Sequence, residues 1–259
     1  MRIAYLLGDT GISATARIVL AQADALIAKD HQVRIVTTEL PLTWRSSLAE
    51  WVYVDDLGAF VPDSGEIVVD AHVVRANPIV DDDFYRDRLP RENEPLRVLL
   101  CGGSPSMSEG YGAAAHARWF HQKFDLVRVS PWAPSREEPL DGVQEFHVAL
   151  NDKEMTRLMH SCDVLIAPNR RDDPQSLMTL EALASGLACV VTATAEHLAI
   201  GTDYALFGPP DNAVELGEKL IEVLSNAPLR DRLRARGREV AEQWRSTNVV
   251  SRLESLLAS

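Results

Sequence analysis

Cysteine is scarce: the 259-residue chain has three, Cys101, Cys162 and Cys189, odd in number and widely spaced. This excludes a disulfide-stapled secreted fold and, with no metal-ligand spacing among them, a structural zinc site. Buried reduced thiols in a cytoplasmic protein are expected instead. Long apolar runs are also missing. No stretch could span a bilayer, and Met1 to Leu7, followed at once by Gly8, is too short an apolar run for a signal peptide. Basic charge is in deficit, 26 Lys and Arg against 38 Asp and Glu for a net −12. No Lys/Arg block outweighs it, which excludes adhesion to nucleic acid or anionic lipid through the whole surface and leaves only a local basic patch open. Hydrolytic chemistry finds no support, because there is no Ser/His/Asp or Cys/His arrangement and His116, His121, His147 and His160 are scattered.

What is present is an ordinary globular composition: 46% apolar residues suffice for a core, and 25% charged residues fit a soluble surface rather than a disordered chain. Ile3 to Leu7 reads as a buried strand, Gly8 to Ser13 as a turn, Ala14 to Ala28 as a helix and Val33 to Thr37 as a second strand. This is a βαβ opening whose turn lies where doubly wound sheets bind ligands. Gly8 and Gly11 do not make the GxGxxG dinucleotide fingerprint. Residues 40–76 suggest a short helix around Trp44 and short strands between glycine turns. Polar, punctuated residues 90–95 mark a boundary, after which Leu96 to Cys101 begins a new strand followed by Gly102 and Gly103. Arg230, Arg232, Arg234, Arg236 and Arg238 fall around a carboxyl-terminal helix and read as solvated charges.

The most informative stretch runs from Asp173 to Gly186. Asp173 can cap a helix that accepts Pro174 in its first turn, where no intrahelical N–H is needed. Leu177, Leu180, Leu183 and Ala184 give it an apolar face, Gly186 ends it, and Ala188 to Val191 is a strand. Asp173 and Glu181 then lie roughly 12 Å apart along the axis. The helix would offer its free N–H groups and positive dipole end to an anion, and Glu181 could bond a vicinal diol further along.

Asp173, seven residues, Glu181 and then Ala182-Leu183-Ala184-Ser185-Gly186 resemble the motif of the retaining, nucleotide-sugar-dependent glycosyltransferases of the GT-B type (family 4-like, glycosyl transferases group 1). Asp163-Val164-Leu165-Ile166-Ala167-Pro168 resembles the strand that precedes that motif, and Ala205 to Asp211 a segment that follows it. Ala76-Asn77-Pro78 to Tyr85 is similar to the family's linker between domains. The resemblance implies an α/β fold of two Rossmann-like domains, the amino-terminal one reduced: residues 1–92 on the acceptor side, and 93–259 binding the nucleotide sugar and ending in terminal helices.

By the same resemblance, Asp173 faces the donor sugar as the catalytic candidate and Glu181 holds the ribose. The amides around Gln175, Ser176 and Leu177 receive the pyrophosphate, and Gly11 and Ser13 belong to the acceptor or phosphate loop. The family's Arg and Lys that neutralise the departing diphosphate are replaced here by Gly103 and Glu109, so either another cation such as Arg170 or Arg171 substitutes or the donor is not bound in the usual manner. The implied activity is transfer of a hexose, with retention, from a nucleotide-diphosphate sugar to an acceptor. No metal or other cofactor is required beyond the sugar nucleotide as co-substrate. The missing cations equally suit an inactive glycosyltransferase-like partner or binding protein, and a GT-B epimerase ranks third. No nucleic acid partner is expected. Peripheral membrane contact stays open, and apolar surface around Trp44, Trp51 and Phe60 leads us to expect self-association.

Overall fold

A computed structural model describes residues 1–8, 10, 13–39, 45–69, 74, 77–87, 95–102, 107–169 and 176–258, with Ser176 described by its backbone alone. The chain divides into two compact units, Met1–Asp81 with Gln243–Ser259, and Asp82–Glu242. The sequence reading put the boundary at 92/93 and kept the whole carboxyl terminus in the second domain. In the structure, residues 243–259 group with the first unit.

The first unit is a four-stranded parallel sheet in the order β3-β2-β1-β4, with β1 at Arg2–Leu7, β2 at Gln32–Thr37, β3 at Glu50–Tyr53 and β4 at Glu66–Val69. Helix α1, Ala14–Ile27, crosses from β1 to β2. Its N-cap is Ser13, whose side chain accepts from the Ala16 N–H at 3.1 Å. This satisfies one of the amides left over at a helix start. On α1 the fully buried Gln22 donates to the Asn77 carbonyl at 2.6 Å, tying the later chain to the helix. Val80 donates to the Trp244 carbonyl and His31 meets Glu254 at 2.9 Å, which fixes residues 243–259 to the same unit. The helix expected around Trp44 falls largely outside the described residues. Residues 45–49 are not helical and Glu50 already opens β3.

The second unit holds a six-stranded parallel sheet in the order β10-β9-β8-β5-β6-β7: β5 Leu96–Cys101, β6 Phe124–Ser130, β7 Val143–Val148, β8 Val164–Ala167, β9 Ala188–Thr192 and β10 Ala205–Gly208. Strands β8 and β9 are buried along their whole length, as a parallel sheet covered on both faces requires, and Val164–Ala167 and Ala188–Val191 read as unbroken apolar runs. Helix α2, Met107–Trp119, joins β5 to β6; α3, Asp152–Ser161, precedes β8; α4, Ser176–Ala184, joins β8 to β9. Next come α5, Ala195–Ile200, α6, Ala213–Ser225, and α7, Ala227–Ala241, and in the first unit α8, Ser246–Leu257. Since β5 leads to β6 and β8 leads to β9 in opposite directions across the sheet, right-handed crossovers put α2 and α4 on opposite faces. Glycines allow close helix contact on both. A Cβ on Gly112 would lie 2.8 Å from Ala213 Cβ, where α2 meets α6, and one on Gly237 would lie 2.7 Å from Leu183 Cδ2, where α7 meets α4.

Four of the five α7 arginines depart from the sequence reading, while Arg232 is exposed as expected. Arg230 donates to the carbonyls of Val223 and Leu224, Arg234 pairs with Asp163 at 3.1 Å, Arg236 with Asp203 at 2.8 Å and Arg238 with Asp87 at 3.1 Å. Arg230 and Arg234 tie α7 down from half-buried positions, whereas Arg236 and Arg238 reach exposed carboxylates.

Candidate functional site

Chain order locates the crevice in the second unit. Strand β5 runs on to β6 and β7 on one side, and β8 to β9 and β10 on the other, so the direction of winding reverses between β5 and β8. Ligands of doubly wound sheets bind outside the carboxyl ends of the strands at that reversal. Here those ends lead into Gly102, at φ +135°, and then α2, and through Pro168 and Asn169 to α4.

Leu177, 2% exposed, anchors the first turn of α4. Glu181 is likewise 2% exposed, about 7 Å further along the axis from the start at Ser176. A carboxylate that deep is retained only against hydrogen-bond donors or ligand hydroxyls. Of the other expected site residues, Ser13 is the α1 cap in the first unit, while Gly11, Gly103, Arg170, Arg171, Asp173 and Gln175 lie outside the described residues. Among described residues, no cluster of His, Cys, Asp or Glu could hold a metal.

Glu109 has a structural task. It sits in the first turn of α2, buried, and its Oε2 accepts from the Asp211 N–H at 3.3 Å, joining the start of α2 to the chain entering α6. A carboxylate also complements the positive end of its own helix. Its neighbour Gly110 is dictated by packing: a Cβ there would overlap Leu100 Cδ1 and stand 3.1 Å from Pro168 Cγ, against the ends of both β5 and β8.

The sequence reading overlooked a polar junction behind α4. His197 is fully buried, with Nδ1 2.7 Å from the Thr192 carbonyl and Nε2 3.1 Å from Thr179 Oγ1 and 3.4 Å from Asn169 Nδ2. A carbonyl only accepts, so Nδ1 carries the proton. Burial holds the imidazole below its ordinary pKa, which leaves Nε2 as the acceptor for Thr179 and Asn169. Thr192 Oγ1 donates to the Asn169 carbonyl at 2.7 Å, and Tyr204 OH to the His197 carbonyl at 2.9 Å. The signal available in sequence was Thr192, Thr194 and His197 interrupting an apolar run, with Thr194 placed to cap α5.

Residues 134–240 match the family model for Glycosyl transferases group 1. That match spans 107 of the 259 residues and lies within the second unit. The chain is also similar to sucrose-phosphate synthase from Thermosynechococcus elongatus (TM-score 0.72, 12% identity, covering 99% of this chain and 98% of that one). A glycosyltransferase from Rickettsia africae ESF-5 gives a TM-score of 0.69 at 10% identity, covering 99% and 97%. WaaG, a glycosyltransferase involved in lipopolysaccharide biosynthesis, gives 0.68 at 16%, covering 99% and 100%. At such identities the likeness establishes the fold, which is GT-B, with its two parallel α/β sheets. No curated protein matches the sequence. No helix among the described residues is long and apolar enough to cross a membrane.

Proposed function

We propose that the chain transfers a hexose from a nucleotide-diphosphate sugar to an acceptor with retained configuration. The observation that carries this reading is Glu181, buried on the helix that follows β8 at the winding reversal, inside the segment that matches the group 1 family. In the proposed arrangement Glu181 binds the ribose diol and the first-turn amides of α4, around Gln175, Ser176 and Leu177, receive the pyrophosphate. Asp173 meets the donor sugar, and Arg170 or Arg171 supplies the positive charge absent at Gly103 and Glu109. The protein furnishes no covalent nucleophile. The donor phosphate helps deprotonate the acceptor, and catalysis rests on positioning and charge stabilisation. No metal or other cofactor is invoked, and a cytoplasmic location suits the sugar-nucleotide supply.

Calorimetric titration with UDP-, GDP- and dTDP-sugars tests this reading. One of them should bind the wild type, and Glu181→Gln should weaken that donor at least tenfold, the cost of losing a charge-assisted hydrogen-bond pair to the diol. Absence of heat with every donor would refute it. That outcome would favour the second reading, a glycosyltransferase-like binding protein, which has its own support: Glu109, where the family has a cation, is committed to the Asp211 amide.

A further inference from the structure

We infer that the Asn169–His197–Thr179 junction is a positioning device that fixes α4 along the end of β8, so that Thr179 and His197 govern sugar-nucleotide affinity without touching the ligand. The inference rests on the donor reading above and concerns residues that reading does not use.

The apolar face of α4 is buried through Leu177, Leu180 and Leu183, but apolar contact is not directional and tolerates small shifts along or around the axis. Direction is supplied by Thr179. It lies two positions before Glu181, about 200° away around a helix of 3.6 residues per turn, so the two side chains leave α4 on nearly opposite sides. Thr179 is fully buried and bonds His197, and His197 is fixed in turn through Nδ1 to the backbone at the end of β9. The same imidazole nitrogen receives Asn169, the last described residue before the chain passes through 170–175 to α4.

One ring therefore ties the end of β8, the end of β9 and the middle of α4 into a single directional unit. Every member is buried and the atoms that form the junction are spent on one another, so its effect on binding is carried through α4 rather than by contact with the ligand. A buried hydrogen bond resists displacement because breaking it strands both partners away from water. The neutral tautomer is essential. With Nδ1 committed to a carbonyl, only a bare Nε2 can accept from the hydroxyl.

The test compares Thr179→Val, which keeps the shape and removes the hydroxyl, with Thr179→Ser, which keeps the hydroxyl. Both are made in the full chain and titrated with UDP, GDP and dTDP beside a thermal melt. For the nucleotide that binds the wild type, Thr179→Val should weaken affinity about tenfold, the equivalent of one net hydrogen bond, and Thr179→Ser should return it to within about twofold. Should the valine variant fail to fold, Thr179→Ala takes its place against the same serine rescue. Wild-type affinity in the valine or alanine variant would overturn the inference and leave the donor reading intact. So would a loss that serine does not rescue, since that marks general loosening of the core. If the wild type binds none of the three nucleotides, the donor reading falls first and this inference with it.

Discussion

Glu138→Ala is expected to destabilise the second unit by about 4 kcal/mol, although Glu138 lies in a connection that contains no helix among residues 131–142. The reason is Arg128 in the middle of β6. Its side chain is 1% exposed and its Nε donates to Glu138 Oε1 at 2.9 Å. Tyr111 OH, from α2, donates to the same oxygen at 2.8 Å. Burial and the adjacent carboxylate push the Tyr111 phenol up to about 12, so it stays a donor throughout the accessible range. Removing the carboxylate strands a buried guanidinium, which typically costs roughly 3–5 kcal/mol. Arg128 keeps the Val129 carbonyl and the Phe146 ring, 5.7 Å from its guanidinium carbon, which argues for the lower end of that range. The stranded Tyr111 hydroxyl adds about 1 kcal/mol. At roughly 2–4 °C per kcal/mol for a unit of this size, the melting midpoint should fall by about 10 °C. Chemical denaturation followed by circular dichroism measures the loss directly, and the double variant Arg128→Met/Glu138→Leu should recover most of it because both charges go together. A loss below about 1 kcal/mol for Glu138→Ala would refute the reasoning, since it would mean that Arg128 reaches water when the connection is released.

Two further outcomes follow from the packing and the ion pairs. Gly110→Ala should cost about 1–3 kcal/mol, because the added methyl overlaps Leu100 where α2 lies on β5; an unchanged denaturation midpoint would show that Leu100 can turn aside freely. In the first unit, Arg34 donates to Glu66 at 2.6 Å and holds its carboxyl, 3% exposed, below the ordinary value of 4.5. With the folded pKa below the unfolded one, the stabilisation is complete above about pH 5 and disappears as pH falls through the depressed value. Glu66→Gln should therefore lower stability at pH 7 and flatten its decline between about pH 5 and pH 3, whereas an equally steep decline would assign the acid sensitivity elsewhere.

The parts of the fold legible in sequence are those in which neighbouring residues cooperate. Strand β1, helix α1 and strand β2 follow from apolar periodicity and the turn between them, and the run through β8, α4 and β9 from the spacing of Leu177, Leu180 and Leu183 before Gly186. Polar pairings between distant segments were not legible. Arg234 and Asp163 are 71 residues apart, and nothing local marks α7 as stapled rather than solvated. Arg128 is hidden for another reason. A charged residue in a parallel strand looks like an edge position, yet here it is buried because Glu138 and Tyr111 arrive from other segments to neutralise it. His197 escaped notice because its neighbours in sequence gave no hint of Thr179, eighteen residues earlier.

The same logic bears on charge at the proposed donor site. A diphosphate brought to the winding reversal meets the starts of two helices, α2 after β5 and α4 after β8. Each helix start carries about half a positive charge, but an acid in the first turn of α2 opposes its share. Glu109 is such an acid, and its bond to Asp211 makes it a fixed part of the α2–α6 join, one that cannot move aside for a ligand without giving up that link. By contrast, no acidic side chain occupies the first turn of α4. On the proposed reading the burden of holding a diphosphate falls to the α4 side, where Asp172 and Asp173 offset Arg170 and Arg171 in formal charge, so the leading amides of α4 and its alignment by Thr179 and His197 carry more of the weight.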